Sequence, residues 1–240
     1  MMQKELALGD FGDIERRFVA VEPEGVQTPL LHVERRAADG EDGKPWIVGY
    51  AARFGVDSLD GAVGEFTERI DAGAFGIVSE RRGRKSPLMT RALFNHNSDL
   101  PLARYPDTLS LTVDEVGLRY EFPVPDTTYG KDLVALIEGG IVRGSSFAFI
   151  IARDGEQWSV DESGRHIRTI TRVADLFDVG PVTFPAYGDG GLAVAKRSFD
   201  LFANRQKADA ERAAKLAERV AAFRAKRADL TEWLKANAAR

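Results

Sequence analysis

The chain of 240 residues contains no cysteine, and this absence removes several functional classes at once. Without a thiol there can be no disulfide, no thiolate zinc site and no cysteine nucleophile. The only histidines are His32, His96 and His166, which is too few for a histidine-rich metal centre. We therefore predict a protein with no bound metal and no cofactor, and the lack of thiols fits a reducing compartment.

Long apolar runs are also missing. No stretch approaches the roughly 20 apolar residues that a membrane helix needs, and the N-terminal residues show no apolar core of a signal peptide. The net charge of -4 does not suggest a general nucleic-acid binder. These features predict a soluble, intracellular protein that uses neither a membrane nor a specific nucleic acid.

Apolar and polar residues alternate over much of the chain before about residue 195. The pattern predicts two β-hairpins, within residues 31–54 and 109–122. Residues 131–140 carry apolar side chains on one helical face and end in a glycine pair, a typical C-terminal stop. Seven or eight strands with few, peripheral helices predict a mainly β fold of the α+β class, most simply a barrel or a sandwich.

Composition divides the chain into three parts. Residues 1–29 look loosely ordered around a short candidate strand at 18–21, residues 30–197 form the β domain, and residues 198–240 form a tail. From 199 to the end there is no glycine or proline, and 10 basic residues stand against 6 acidic ones, so this part carries about +4. Apolar residues at a spacing of three and four predict a long amphipathic helix or a coiled coil. It could dock on its own domain, pair with another helix or bind an acidic partner, and its length favours a partner.

The candidate nucleophile lies in the central stretch of the chain. Gly144-Ser145-Ser146 precedes an apolar run, residues 147–151, that reads as a buried strand. Glycine allows close approach of a substrate, and the strand would hold a serine rigidly. In an extended segment Ser145 and Ser146 point to opposite faces, so only one of them can serve. The same residues are also compatible with an ordinary turn before a strand.

A serine nucleophile needs a base and a group that orients the base. His96 follows an apolar run and lies in a polar loop, whereas His32 and His166 lie in alternating strands. The orienting group could be Asp178, Asp175 or His166. Asp178 is the most unusual because it interrupts an apolar strand, where a carboxylate requires a partner. That partner could be a histidine, an arginine or a backbone turn.

Five segments, taken in order, resemble the prohead proteases of tailed phages, which mature the capsid and share the fold of the herpesvirus assemblins. The resemblance covers about residues 30–195 and lies in residues 49–55, 68–75, 93–97, 144–149 and 176–186. It implies a closed, herpesvirus-protease-like barrel of about seven strands, which the long C-terminal helix predicted from the apolar spacing would follow.

The resemblance also implies site residues. Ser146 matches the nucleophile, His96 the general base and Asp178 the acid that orients the base. The sequence departs from the family at Ala148, where a glycine is usual, and in the loop at residues 101–104. The implied function is a serine endopeptidase that cleaves scaffold and capsid-protein segments, and itself, inside the prohead in the host cytoplasm. The partners implied are the scaffold, the major capsid protein and further copies in a homodimer or higher oligomer.

Two other functions compete with this interpretation. A non-enzymatic capsid scaffold or assembly protein would leave the three candidate side chains apart in space. A metal-dependent nuclease is suggested only by Asn95-His96-Asn97, which has no acidic cluster nearby in the sequence.

For the protease, backbone N–H groups are the expected oxyanion donors, with Arg143 and Arg172 as candidate helpers. The specificity of cleavage is not readable from the sequence.

Overall fold

The computed structural model describes residues 14–19, 30–36, 43–58, 66–80, 89–183 and 189–237. In these residues there are twelve strands and three helices. The strands are β1 (Glu15–Val19), β2 (Leu31–Arg36), β3 (Lys44–Arg53), β4 (Thr67–Ile70), β5 (Arg91–Leu93), β6 (Pro101–Arg104), β7 (Ser110–Val113), β8 (Gly117–Pro123), β9 (Gly144–Ile151), β10 (Glu156–Val160), β11 (His166–Ile170) and β12 (Val173–Val182). The helices are α1 (Gly76–Glu80), α2 (Thr128–Glu138) and α3 (Asp189–Asn237). The chain divides into two compact units, Met1–Lys196 and Arg197–Arg240.

The strands form three open sheets, in the orders β1-β9-β12-β5-β6, β10-β11-β4 and β2-β3-β8-β7. The mainly β class is confirmed, but the predicted closed barrel of about seven strands is wrong for the described residues. The structure has more strands than the sequence predicts. Short strands such as β5 and β6 are not predicted, because their residues read as an apolar run and a loop. Alternation shows which face of a strand is buried but not which strand lies beside it, so it cannot predict closure.

The five-stranded sheet is built around β9 and β12. Most of β9 is buried, as its continuous apolar sequence predicts for a strand covered on both faces. Phe147 stacks on Phe149 with ring centroids 4.7 Å apart and meets Phe75 edge-on at 5.6 Å. β12 runs antiparallel to β9 on one side and parallel to β5 on the other. β9 and β12 therefore form the packed centre of the sheet.

Both predicted hairpins are confirmed. β2 pairs with β3 and β7 pairs with β8, each antiparallel, although the turn at residues 37–42 lies outside the described residues. The predicted helix is α2. The hydroxyl of Thr127 caps its N-terminus by accepting the N–H of Gly130, and Gly139 ends it as expected from the glycine pair.

β1 departs from the prediction of a loosely ordered segment 1–29. It pairs antiparallel with β9 and carries buried charges into the protein. Arg17 donates to the carboxylates of Glu15 and Glu68. Arg168 donates to Glu15 at 2.8 and 2.9 Å, to Glu68 at 3.0 Å and to Glu156 at 2.7 Å. We call these five residues the ionic cluster, and it explains how a charged N-terminal sequence forms an ordered strand.

The C-terminal helix is confirmed as α3, which spans 49 residues and begins nine residues before the predicted start of the tail at 198. Along it, Leu216, Val220 and Phe223 are exposed and follow the spacing of four and three that places side chains on one face. None of the helices in the described part of the chain is both long and apolar enough to cross a membrane.

Candidate active site

The two adjacent serines lie at the start of β9 and have separate surroundings. Ser145 Oγ is 2.7 Å from the hydroxyl of Tyr120 in the core, while Ser146 faces the other way, as the alternation of a strand requires. Both serines are buried, and Ser146 is 0% exposed. Burial raises the pKa of Tyr120 well above its usual range, although the bond with Ser145 lowers it somewhat, so its hydroxyl stays neutral.

His96 is carried by a tight turn immediately after β5. The N–H of Asn97 donates to the carbonyl of Phe94 at 3.0 Å, and the two central residues, Asn95 and His96, have φ angles of 56° and 55°. Positive φ at both central positions is the signature of a type I′ turn. The left-handed conformation costs a non-glycine residue about 1–2 kcal/mol, and asparagine tolerates it better than most. His96 is therefore held on a strained backbone.

Asp178 lies in β12, directly beside β5. In the parallel register of these strands Asp178 stands opposite Arg91, so β12 brings the carboxylate toward the turn that follows β5. Gly180 allows the backbone of β12 to lie this close to the end of β5. A Cβ at Gly180 would lie 2.1 Å from the carbonyl oxygen of Leu93, and the φ angle of 156° also favours glycine. A side chain at this position would push the two strands apart.

The structure brings the three predicted site residues together. His96 Nδ1 lies 2.5 Å from Asp178 Oδ1, and His96 Nε2 lies 2.6 Å from Ser146 Oγ. A carboxylate only accepts, so Nδ1 carries the hydrogen and donates it to Asp178. The side chains of His96 and Asp178 are 8% and 10% exposed, so bulk water screens their interaction weakly. This is the arrangement that serine acyl transfer requires: nucleophile, base and orienting acid in a line.

Ser146 has a second partner that the sequence did not reveal. Its Oγ lies 2.7 Å from the main-chain carbonyl oxygen of Arg17 in β1. A serine hydroxyl carries a single hydrogen, and both this carbonyl and the neutral Nε2 of His96 would accept it. While the hydroxyl donates to the carbonyl of Arg17, it has no hydrogen left to donate to Nε2 of His96. No sequence pattern marks a main-chain carbonyl, so only the pairing of β1 with β9 could reveal this contact.

The other candidates for the triad have different partners. His32 Nε2 lies 3.0 Å from Glu34, and His166 begins β11, opposite Val160. Asp175 accepts the backbone N–H of Leu176 at 3.0 Å. Because both ring nitrogens of His96 are engaged by Asp178 and Ser146, neither Asp175 nor His166 takes the third position in this structure.

The proposed oxyanion helpers have local partners. Arg143 Nε donates to the carbonyl of Gly140, and Arg172 Nη2 donates to the carbonyl of Arg153, both at 2.8 Å. Ala148, where the family usually has glycine, is paired with Asp178 across the sheet. In the described part of the chain, no group of three or more His, Cys, Asp and Glu side chains could hold a metal ion. The end of the fifth motif, residues 184–186, lies outside the described residues.

Comparison with known proteins supplies the family. The model of the family described as caudovirus prohead serine protease matches residues 31–205, which is more than half of the chain. No curated protein matches significantly. Among solved structures, the bacteriophage T4 capsid assembly protease, gp21, is similar at 12% identity, covering 71% of this chain and 99% of its own, with a TM-score of 0.34. On the match of the family model, the chain belongs to the caudovirus prohead serine protease family.

Proposed function

We propose that this protein is a serine endopeptidase in which Ser146 is the nucleophile, His96 the general base and Asp178 the group that orients the base. The observation that carries the proposal is the pair of short contacts of His96, 2.6 Å to Ser146 and 2.5 Å to Asp178. Membership of a serine protease family supports the reaction class. The competing function, a non-enzymatic assembly protein, predicts that these side chains lie apart, and the two distances argue against it.

In the proposed mechanism, Ser146 Oγ attacks the carbonyl carbon of a peptide bond and His96 Nε2 takes its proton. Asp178 stabilises the imidazolium that forms, and backbone N–H groups stabilise the oxyanion of the tetrahedral intermediate. As the C–N bond breaks, His96 gives the proton to the leaving amine and an acyl-enzyme forms. Water then attacks the ester with His96 again as base, and the carboxylic acid product leaves as the hydroxyl of Ser146 is restored.

The contact between Ser146 and Arg17 adds a requirement before the first step. A substrate carbonyl must lie against Oγ, but the carbonyl of Arg17 already occupies a position 2.7 Å away and Ser146 is fully buried. Arg17 must therefore move before an external peptide can react. The same movement removes the acceptor that competes with His96 for the proton of the serine.

We further propose that the substrates are segments of the scaffold and of the major capsid protein, and the chain itself, cleaved inside the prohead in the host cytoplasm. Membership of the caudovirus prohead serine protease family supports this setting. The exposed side chains of Leu216, Val220 and Phe223, on a helix with net positive charge, support a role for α3 in binding scaffold, capsid protein or another copy. Deleting residues 199–240 should abolish incorporation into proheads while sparing peptide cleavage, and loss of both would contradict this role.

Intact-mass analysis tests the proposed chemistry. Wild type, Ser146→Ala and the matched control Ser145→Ala are each incubated with the scaffold region of the protein's own capsid system. Wild type and Ser145→Ala should trim the scaffold or themselves, and Ser146→Ala should not. Asp178→Asn should cleave on the order of 10⁴-fold more slowly, because the ring of His96 loses its orienting charge. Equal trimming by wild type and Ser146→Ala would exclude Ser146 as the nucleophile.

A further inference from the structure

The turn that carries His96 is tied to the end of β12 through the residue before it. The backbone N–H of Asn95 donates to the carbonyl of Pro181 at 3.0 Å. The side chain of Asn95 then makes two more bonds with Thr183: its Oδ1 accepts the backbone N–H at 2.8 Å, and its Nδ2 donates to Oγ1 at 3.2 Å. Because the backbone N–H of Thr183 can only donate, the amide atom of Asn95 that faces it must be the oxygen, and this fixes the orientation of the amide. We call these two side-chain bonds the Asn95–Thr183 clamp.

The clamp is placed where it controls the geometry of the site. Asn95 and His96 are the two central residues of one turn, and both have a positive φ. Thr183 directly follows β12, the strand that carries Asp178. The clamp therefore ties the backbone that carries the base to the strand that carries its orienting acid. A shift of this turn would move both ring nitrogens of His96 away from partners only 2.5 and 2.6 Å distant.

The side chain of Asn95 has no core-packing role that would explain these bonds, because the residue is exposed. Both polar groups of its amide are engaged by Thr183, so the side chain is occupied in holding the turn. Nor does the left-handed backbone alone require asparagine, since glycine adopts it more readily. What asparagine adds over glycine is the clamp.

We propose that Asn95 is a positioning residue, whose clamp on Thr183 holds the strained turn so that the imidazole of His96 bridges Asp178 and Ser146. The inference rests on the proposed function, in which His96 is the base. It assigns no contact with substrate to Asn95. Its effect passes entirely through the orientation of the ring.

The variants separate the clamp from the backbone requirement. Asn95→Gly keeps the left-handed turn and the bond of the main-chain N–H to Pro181 but loses the clamp. Asn95→Asp restores a clamp, because its carboxylate can accept both the N–H and the hydroxyl of Thr183. Asn95→Ala loses the clamp and also strains the turn. Thr183→Val removes only the bond between Nδ2 and Oγ1, and its partner control Thr183→Ser keeps it.

The first readout reports the geometry of the ring and does not need activity. The chain of 240 residues has three histidines, so its imidazole groups can be labelled with ¹⁵N and assigned by single replacement of His32 and His166. In wild type the Nδ1–H of His96, held against Asp178, should give a strongly deshielded proton signal. We expect Asn95→Gly to lose or broaden this signal while its melting temperature stays close to that of wild type, and Asn95→Asp to recover it.

The second readout is cleavage of the scaffold region. Asn95→Gly should lower kcat by up to about 100-fold with little change in KM, since a displacement of about 1 Å can cost this much. Asn95→Asp should regain most of the rate, and Thr183→Val should fall between wild type and Asn95→Gly. An Asn95→Gly protein that keeps both the deshielded signal and kcat would overturn the proposal. So would a loss of kcat with the signal intact, because the effect would then not pass through the ring.

The two readouts keep this proposal apart from the proposed function. If wild type cleaves nothing but shows the deshielded signal, and Asn95→Gly loses it, the positioning of His96 by Asn95 stands while the peptidase assignment fails. If Ser146→Ala abolishes cleavage and Asn95→Gly changes neither readout, the peptidase assignment stands and the positioning role fails.

Discussion

Replacing Arg168 with methionine tests the ionic cluster most directly. Arg168 is 1% exposed, and its guanidinium donates to the carboxylates of Glu15, Glu68 and Glu156. Methionine fills much of the same space without a charge. In the variant Glu15 and Glu68 are left buried with Arg17 as their only cation in the cluster, so carboxylate charge is no longer compensated.

The loss of unfolding free energy expected for Arg168→Met follows from the burial of Glu15 and Glu68. Removing one partner of a buried ion pair destabilises a protein by about 3–5 kcal/mol, because the remaining charge is left unpaired away from water. A typical domain has about 5–15 kcal/mol of total stability, so Arg168→Met should remove a large share of it. Urea unfolding followed by circular dichroism measures the difference. The matched control is Arg35→Met, whose ion pair with Glu138 is half-exposed and should contribute no more than about 1 kcal/mol.

The pH dependence supplies a second check. Burial by itself raises the pKa of Glu68, but the charges of Arg17 and Arg168 outweigh it, and the pKa lies below the ordinary value of 4.5. A carboxylate with a lowered folded pKa stabilises the protein fully above its unfolded pKa, and this contribution is lost as the pH falls toward the folded pKa. The gap in unfolding free energy between wild type and Arg168→Met should therefore narrow as the pH falls below about 4.5.

Two results would refute this reasoning. The first is an Arg168→Met protein as stable at neutral pH as Arg35→Met, which would mean that the charges of the cluster are not buried in solution. The second is a gap that stays constant down to low pH, which would mean that the loss comes from packing and not from charge.

The remaining predictions concern the strands around the site. Gly180→Ala should lower the unfolding free energy by about 1–3 kcal/mol and slow scaffold cleavage, because its Cβ would collide with the carbonyl of Leu93, 2.1 Å away. Gly164→Ala, which has a φ of 83° but open space around it, should cost less and leave cleavage unchanged in the same assays. Tyr120→Phe should cost about 1–3 kcal/mol in urea unfolding, because it leaves the buried hydroxyl of Ser145 without this partner. Adding Ser145→Ala to Tyr120→Phe should recover most of the lost unfolding free energy, because no buried hydroxyl is then left unpaired. A double variant no more stable than Tyr120→Phe alone would contradict a stabilising hydrogen bond between Tyr120 and Ser145.

Much of the local structure could be predicted from the sequence, because its signals are local. The hairpin partners β2–β3 and β7–β8 follow from alternation around turn residues, and the end of α2 follows from the glycine pair beginning at Gly139. The candidate residues His96, Ser146 and Asp178 follow from motifs that resemble a known family. The structure places the side chain of His96 within hydrogen-bonding distance of the other two, and we propose the catalytic roles of all three.

The rest depends on contacts between distant parts of the chain. Glu15 and Arg17 look like residues of a solvated N-terminus, and they are buried only because Glu68 and Arg168 meet them from two other strands. The carbonyl of Arg17 against Ser146 has the same origin. Closure of a barrel likewise depends on which edge strands meet, and here three sheets stay open among the described residues. Patterns within one segment contain no information about such partners.

The order of strands in the main sheet has a consequence for when the site can exist during synthesis. β12, the strand nearest the C-terminus in the part of the chain that the structure describes, takes a central place in the sheet between β9 and β5. Asp178 and His96 are separated by 82 residues in the chain, and Ser146 lies between them. Contacts this remote can form only after the whole intervening chain has been synthesised, and closing so long a loop is slow. A nascent chain that ends before Asp178 thus has the serine and the histidine but not the carboxylate, and the proposed protease would cleave its surroundings far more slowly before its own sheet is finished.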